Sequence, residues 1–158
     1  MNEDRLLEEI RGAAQRDNSS VWYPTVGIAH IEFAEEVVGF RFPELLRRIF
    51  MEVSNGGFGP GYKLGGLPGG HDCAWGDILE SFKVLQADEG YEDGWLPVID
   101  WGCAQVTMID CLDKGQIVTW LSGGARQEDY DFNELMQRWV NGEQPNIDDG
   151  TFMPVGQR

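Results

Sequence analysis

Residues 42–61 decide the fold: Phe42-Pro43-Glu44-Leu45-Leu46, then Ile49-Phe50, then Asn55-Gly56-Gly57-Phe58-Gly59-Pro60-Gly61. Leu45, Leu46, Ile49, Phe50 and Val53 recur at helical spacing, which predicts an amphipathic helix from Pro43 to about Val53. Proline suits a first helical position because its missing N–H has no partner to lose. Asn55-Gly56-Gly57 supplies residues that tolerate a left-handed exit. Upstream, Ile31, Ala34 and Val38 share one face of a short helix over 30–38, with Glu32, Glu35 and Glu36 elsewhere, and Gly39 stops it. Downstream, residues 54–70 carry eight glycines, Gly56, Gly57, Gly59, Gly61, Gly65, Gly66, Gly69 and Gly70, with Pro60 and Pro68. That density describes a backbone that turns repeatedly or comes close to other groups. Tyr62-Lys63-Leu64 reads as a short strand within it.

Outward from this centre, residues 3–16 predict a helix on Leu6, Leu7, Ile10, Ala13 and Ala14, closed by Asp17-Asn18-Ser19-Ser20. Trp75, Ile78, Leu79, Phe82 and Leu85 predict a fourth helix over about 75–87. An acidic turn, Asp88-Glu89-Gly90-Tyr91-Glu92-Asp93-Gly94, leads into three strands at 95–100, 105–112 and 116–121. Pro97 belongs on an edge or at a strand start, and Asp113-Lys114-Gly115 makes a hairpin turn. Asp131 and Glu134 have the spacing of a capping box, and Tyr130 and Leu135 that of a hydrophobic staple, so the last helix starts there. Leu135, Met136, Trp139 and Val140 form its buried face, and Asn141-Gly142 ends it. Residues 143–158 read as a polar tail. The expectation is one domain of five helices and three strands: an N-terminal helix in 1–21, a body over 22–142, and the tail.

Composition bounds the function. The chain has 158 residues, with 12 Lys plus Arg against 27 Asp plus Glu and a formal net charge of −15. Hydrophobic residues make up 42%, enough to argue against disorder despite the charge. Such a balance disfavours direct nucleic-acid binding, which needs cations to displace phosphate counterions, and docking on anionic lipid. It suits a basic partner. The N-terminal stretch lacks the basic and apolar regions of a signal peptide, and no run is long enough to span a bilayer, so the expected home is the cytoplasm.

Sites for chemistry are weak. The glycine-rich loop has no Gly-Lys-Ser/Thr and no Gly-x-Gly-x-x-Gly after a strand, so it reads as a connector and not as a phosphate cradle. Cys73, Cys103 and Cys111 are an odd set, against a disulfide framework. With His71 they lack the paired spacing of a zinc knuckle, and a Cys–His nucleophilic pair has no local signature. Neither a metal nor a cofactor is expected. Paired carboxylates are too abundant to mark an acid–base pair; Glu35-Glu36, Asp88-Glu89 and Asp148-Asp149 read as solvated faces. Of the six Trp, Trp101, Trp120 and Trp139 read as core. Trp22, Trp75 and Trp95 flank elements, where one exposed ring would serve as an interface anchor.

The sequence of features Ile31…Glu35, Val38-Gly39, Phe42-Pro43-Glu44-Leu45-Leu46, Ile49, Asn55-Gly56-Gly57 and Leu67-Pro68 resembles the signature of the SUKH superfamily. Val38-Gly39 and Phe42-Pro43 stand where members carry Leu-Gly and Leu-Pro. The later Trp-Leu-Pro-Val-Ile strand, acidic hairpin, Ile-Val-Thr-Trp strand and aromatic last helix are similar too, so the resemblance covers about 22–141. It implies a single α+β domain, a mixed or antiparallel sheet packed by about five helices. It also implies an immunity protein that neutralises a polymorphic toxin, often a nuclease or nucleic-acid deaminase, by occlusion, or alternatively a regulatory scaffold with a non-toxin partner. The residues that carry the resemblance specify turns and helix ends, and so speak to fold more than to chemistry. An enzyme remains a third reading, which requires a deep pocket where a His or Cys meets a carboxylate. On the immunity reading, the partner-binding residues are Asp88, Glu89, Glu92 and Asp93 of the acidic turn, with Tyr91 as aromatic anchor, Asp113 of the hairpin, and Glu128 and Asp129 in a loop. The competing view is that these carboxylates only solubilise the protein. Oligomeric state is left open.

Overall fold

A computed structural model describes residues 2–155. Five helices, α1 (Glu3–Arg16), α2 (Ile28–Val38), α3 (Glu44–Glu52), α4 (Ile78–Leu85) and α5 (Phe132–Val140), surround a four-stranded sheet. Its strands are β1 (Trp95–Asp100), β2 (Val106–Asp110), β3 (Gln116–Leu121) and β4 (Gly124–Asp131), and a separate hairpin joins β5 (Glu143–Pro145) to β6 (Phe152–Pro154). The sheet is an antiparallel meander in the order β1-β2-β3-β4. The architecture is α+β, as expected.

Local chemistry accounts for the helix ends. Asn2 caps α1 by accepting from the Arg5 amide, and Leu6, Leu7, Ile10 and Ala14 are its buried stripe. Asp77 and Glu80 form a full capping box on α4, so that helix begins at Ile78, three residues later than Trp75 suggested. Asp131 accepts from the Glu134 amide at 2.8 Å to start α5. Gly39 closes α2 at φ 90°, a conformation that costs an L-residue strain. Pro43 sits one position before α3, with extended ψ, and its carbonyl accepts from Arg47.

Glu35 departs from the expectation of a solvated face. It turns inward at the exit of α2, accepts from the Phe42 amide at 2.7 Å and pairs with the Arg47 guanidinium, Nε to Oε2 3.1 Å. Both side chains are nearly buried, so this pair fixes the α2–α3 corner, and removing one partner would strand the other charge.

The glycine-rich loop is a structural knot. Asn55 is buried. Its side chain accepts from the Leu67 amide at 2.8 Å and donates to the Leu67 carbonyl at 3.2 Å, and its own carbonyl accepts from the His71 amide. A Cβ on Gly57 would lie 1.9 Å from the Val21 carbonyl oxygen; only glycine permits that approach, and Val21 N–H donates to Gly57 in return. The amides of Gly57, Leu64, Gly66 and Gly70 donate to carbonyls within or next to the loop, and that of Gly65 to Val98 of β1, so the loop spends them on its own fold. Residues 62–64 form no strand; a single bridge joins Leu64 to Ile99. With Gly65 N–H donating to Val98 at 2.7 Å, it covers the open edge of β1, which explains how Pro97 and the adjacent irregularity in pairing are tolerated there.

Both faces of the sheet are covered. Ile109, Ile117 and Tyr130 join the main core of α1, α3 and α5. Val106, Met108, Val118, Trp95 and Trp120 form a second cluster with Leu85 of α4. Two segments differ from the sequence reading. The stretch placed in a loop after Gly124 is the edge strand β4. The segment read as a polar tail forms β5 and β6, with Phe152 against Tyr130 at 4.8 Å and Val155 N–H donating to Gly142; residues 156–158 lie outside the described residues, as does Met1. Among the described residues no helix is long and apolar enough to cross a membrane.

Candidate functional site

The fold gathers carboxylates that are far apart in sequence. The turn after α4 carries Asp88, Glu89, Glu92 and Asp93, all exposed. Its last residue, Gly94, accepts from the Cys111 amide at 2.8 Å and packs under Leu112. That contact sets the acidic turn beside the β2–β3 hairpin, whose tip carries Asp113. Asp113 in turn shares a shallow depression with Asp110, Gln127 and Glu128 of the neighbouring strands. A further cleft between β4, α5 and the β5–β6 hairpin continues from Glu128 through Asp129, Glu134, Glu143 and Asp149. The result is one acidic band along the end of the sheet and its β4 edge.

Within the band Glu128 pairs with Arg126, and Glu134 and Glu143 pair with Arg138; its other carboxylates contrast with those of α1 and α3. On α1 and α3 the carboxylates are neutralised: Arg5 binds Glu9 at 3.0 Å, Arg11 pairs with Glu8, and Arg48 holds Asp4 at 2.6 Å and Glu52 at 2.8 Å. Two of these clusters leave a mark on titration. The Gln137 and Arg5 hydrogen bonds hold the Glu9 carboxyl below the ordinary range, and the Glu52 and Asp4 hydrogen bonds hold the Arg48 charge on more firmly. In the band, by contrast, Asp88, Glu89, Glu92, Asp93, Asp113 and Asp129 have no ion pair among the described residues.

Two of the expected site residues are placed differently. Glu128 lies on β4, not in a loop, and its side chain is 7% exposed. It accepts from Thr119 Oγ1 at 2.6 Å and pairs with Arg126 at 2.8 Å. The Arg126 guanidinium also donates to the carbonyls of Ile147 and Asp148, both at 2.9 Å. Glu128 therefore braces the hairpin loop and is not an available charge. Tyr91 does not project. Its hydroxyl donates to the Trp95 carbonyl, and its ring packs edge-on to Phe82 at 6.1 Å and Trp95 at 5.6 Å. Burial pushes its phenol up from the ordinary value. Tyr91 is thus a wall of the site, fixed in place, where the sequence suggested an arm.

That wall lines a groove of about 370 Å³ with Val38, Phe40, Phe82, Asp93 and Leu112. Leu112, expected as the last residue of a strand, is instead 65% exposed on its rim. Leu112 and Phe40 were not singled out from the sequence. The signal available for Leu112 was its place between Asp110 and Asp113, in a turn where a large apolar side chain has no core to enter. Of the flanking tryptophans, Trp95 is buried, while Trp22 and Trp75 are exposed.

The cysteines and histidines are dispersed. Cys73 is buried, Cys111 half-buried and Cys103 exposed. Burial pushes the Cys73 thiol up to about 12 and the Cys111 thiol higher still, which keeps both protonated and poor nucleophiles. His71 is held between two partners: Tyr23 O–H donates to Nδ1 at 3.0 Å and Nε2–H donates to the Tyr62 carbonyl at 3.1 Å. Among the described residues no group of three His, Cys, Asp or Glu side chains is placed to hold a metal ion. No family model matches the chain, and no curated protein matches it.

Proposed function

We propose that this chain is a non-enzymatic protein-binding domain of the SUKH type, acting in the cytoplasm as an immunity protein that covers the active site of a basic nuclease or deaminase toxin. The observation that carries the reading is the turn of unpaired carboxylates, Asp88, Glu89, Glu92 and Asp93, lying beside an apolar groove. A basic nucleic-acid groove presents cations spaced for phosphates, and Asp88, Glu89, Glu92, Asp93, Asp113 and Asp129 offer it exposed carboxylates instead. The groove walled by Tyr91, Phe82 and Leu112 adds desolvated contact at the centre, where binding energy concentrates. Opposite fields speed encounter towards roughly 10⁸–10⁹ M⁻¹s⁻¹ at low salt.

The test is capture of the basic C-terminal domain of a secreted protein encoded beside this chain, at low and high salt. The expected result is tight capture that weakens as salt rises and is lost when Asp88, Glu89, Glu92 and Asp93 are reversed to Lys. Capture indifferent to both would refute the electrostatic account.

A second reading has its own observation. The outward face of α2 exposes Ile28, Phe33 and Val37 beside Glu32 and Glu36, an apolar surface apart from the acidic turn. It favours a regulatory scaffold with a non-toxin partner. Such a protein would not rescue toxin-treated cells, whereas an immunity protein would.

A further inference from the structure

A second cavity lies where the β5–β6 hairpin folds back over the sheet. It has a volume of about 270 Å³ and is lined by Trp101, Gln144, Asn146, Asp148 and Met153, with Pro145 and Ile147 between them. Gln144 and Met153 face each other across the hairpin. Gln144 is 3% exposed and lines the cavity. An amide held at the wall of a cavity offers a ligand both a donor and an acceptor. The rest of the wall is built. Trp101 Nε1–H donates to Thr107 Oγ1 at 2.8 Å, which fixes the indole plane. Asn146 Oδ1 accepts from the Asp148 amide at 2.9 Å, which shapes the loop and leaves the Asp148 carboxylate exposed at the rim. Arg126 holds the loop from beneath, but its charge is met by Glu128.

We propose that this cavity receives the guanidinium of an arginine side chain presented by the basic partner. A guanidinium is flat, stacks on an indole, and carries donors that match an amide oxygen and a carboxylate together. Gln144 Oε1 and Asp148 are those acceptors, and Trp101 and Met153 are the apolar walls. Lysine has the charge but neither the plane nor the fork. A nucleotide would bring phosphates into the field of a chain with net charge −15. This inference rests on the reading of the chain as a binder of a basic polypeptide, and it names the side chain recognised.

The experiment uses the full chain, ¹⁵N-labelled, titrated with the blocked tripeptide acetyl-Gly-Arg-Gly-amide, with its lysine counterpart and with free arginine. Expected are saturable shifts of the Gln144 side-chain amide and the Trp101 indole N–H with the arginine peptide. The lysine peptide should bind about tenfold more weakly, as for one lost charge-assisted hydrogen bond. Peptide binding tighter than that of free arginine identifies a polypeptide source, and the reverse a small guanidinium compound. Gln144→Leu should abolish the shift at Trp101 while a cooperative unfolding transition is retained. Asp148→Ala, on an exposed loop, should weaken binding without touching the fold. Equal affinity for the lysine peptide, or undiminished binding by Gln144→Leu, overturns the proposal. Loss of the peptide site with the basic domain still captured removes the pocket and keeps the proposed function. Peptide binding without capture does the reverse.

Discussion

Asn55 shows how much one side chain can organise. Its carboxamide stands in for a backbone partner to both the N–H and the C=O of Leu67. Asn55→Ala would leave two buried groups unpaired, and the expected loss is about 2–4 kcal/mol, read as a fall in the urea midpoint. The Asn-Gly-Gly pattern made the turn readable from sequence, because glycine and asparagine betray an unusual backbone. It did not reveal the Leu67 bond, since that contact closes over a loop whose course no local signal records. Glu35 hid in the same way: helical spacing gives a direction for a side chain but not the Arg47 that meets it from the next helix. The thiols make a second prediction. Cys73 is buried with its thiol held up to about 12, and Cys111 is raised by burial too, whereas Cys103 is exposed. Native protein should therefore react quickly with one equivalent of a disulfide reagent, and with all three cysteines only after unfolding. Cys103→Ser should remove the fast phase.

Elements announced by apolar periodicity were readable, and those held by position were not. The α1 stripe and the β1 and β3 runs have the predicted bounds because each buries enough apolar surface to declare its period. Strand β4, Gly-Ala-Arg-Gln-Glu-Asp-Tyr-Asp, buries Tyr130 but mostly faces solvent along the sheet edge. Its charges blunt that edge, and they also disguise it as a loop. The β5–β6 hairpin has three residues per strand, too short to show alternation. Tertiary contacts hold it: Phe152 against Tyr130, and Arg138 over the Phe152 ring at 4.6 Å. A polar tail would be dispensable, but this hairpin is not. Truncation after Gly142 should lower the thermal midpoint markedly and expose the α5 side of the core to hydrophobic dye. Phe152→Ala alone should cost about 1–3 kcal/mol, for a half-buried aromatic losing its stack and its cation. The acidic turn belongs to the same class of partly readable features. Its charges were plain in the sequence, but the groove beside it was not, because Leu112, Phe40 and Phe82 come from three separate elements.

The charge of the molecule is distributed so that stability and binding pull apart. Arginines on α1 and α3 neutralise their own carboxylates, while Asp88, Glu89, Glu92 and Asp93 crowd one turn with no ion pair among the described residues. On the alkaline side, burial holds Cys73, Cys111, Tyr91 and Tyr130 above their ordinary values. The fold therefore favours their neutral forms, and that stability is complete below the unfolded values. It declines as the unfolded thiols and then phenols ionise, from about pH 8.5 to 10 upward. On the acid side, hydrogen bonds from Gln137, Ser19 and Thr151 lower Glu9, Asp17 and Asp149. Their contribution is present at neutral pH and is lost as pH falls below about 4. Between these limits salt, not pH, is the lever on the self-repulsion of the acidic turn. Raising salt at pH 7.5 from about 10 to 300 mM shortens the screening length from about 30 Å to well under 10 Å. The thermal midpoint should rise by about 2–4 °C, as for 1 kcal/mol in a domain of this size. The quadruple neutral variant Asp88→Asn, Glu89→Gln, Glu92→Gln and Asp93→Asn should already be more stable at low salt and respond less to added salt. The same variant should capture the basic domain more slowly. A gain in stability joined to a loss in association rate is what a surface kept for binding predicts, and a variant that gained stability with its association rate intact would mark the turn as a solubilising face only.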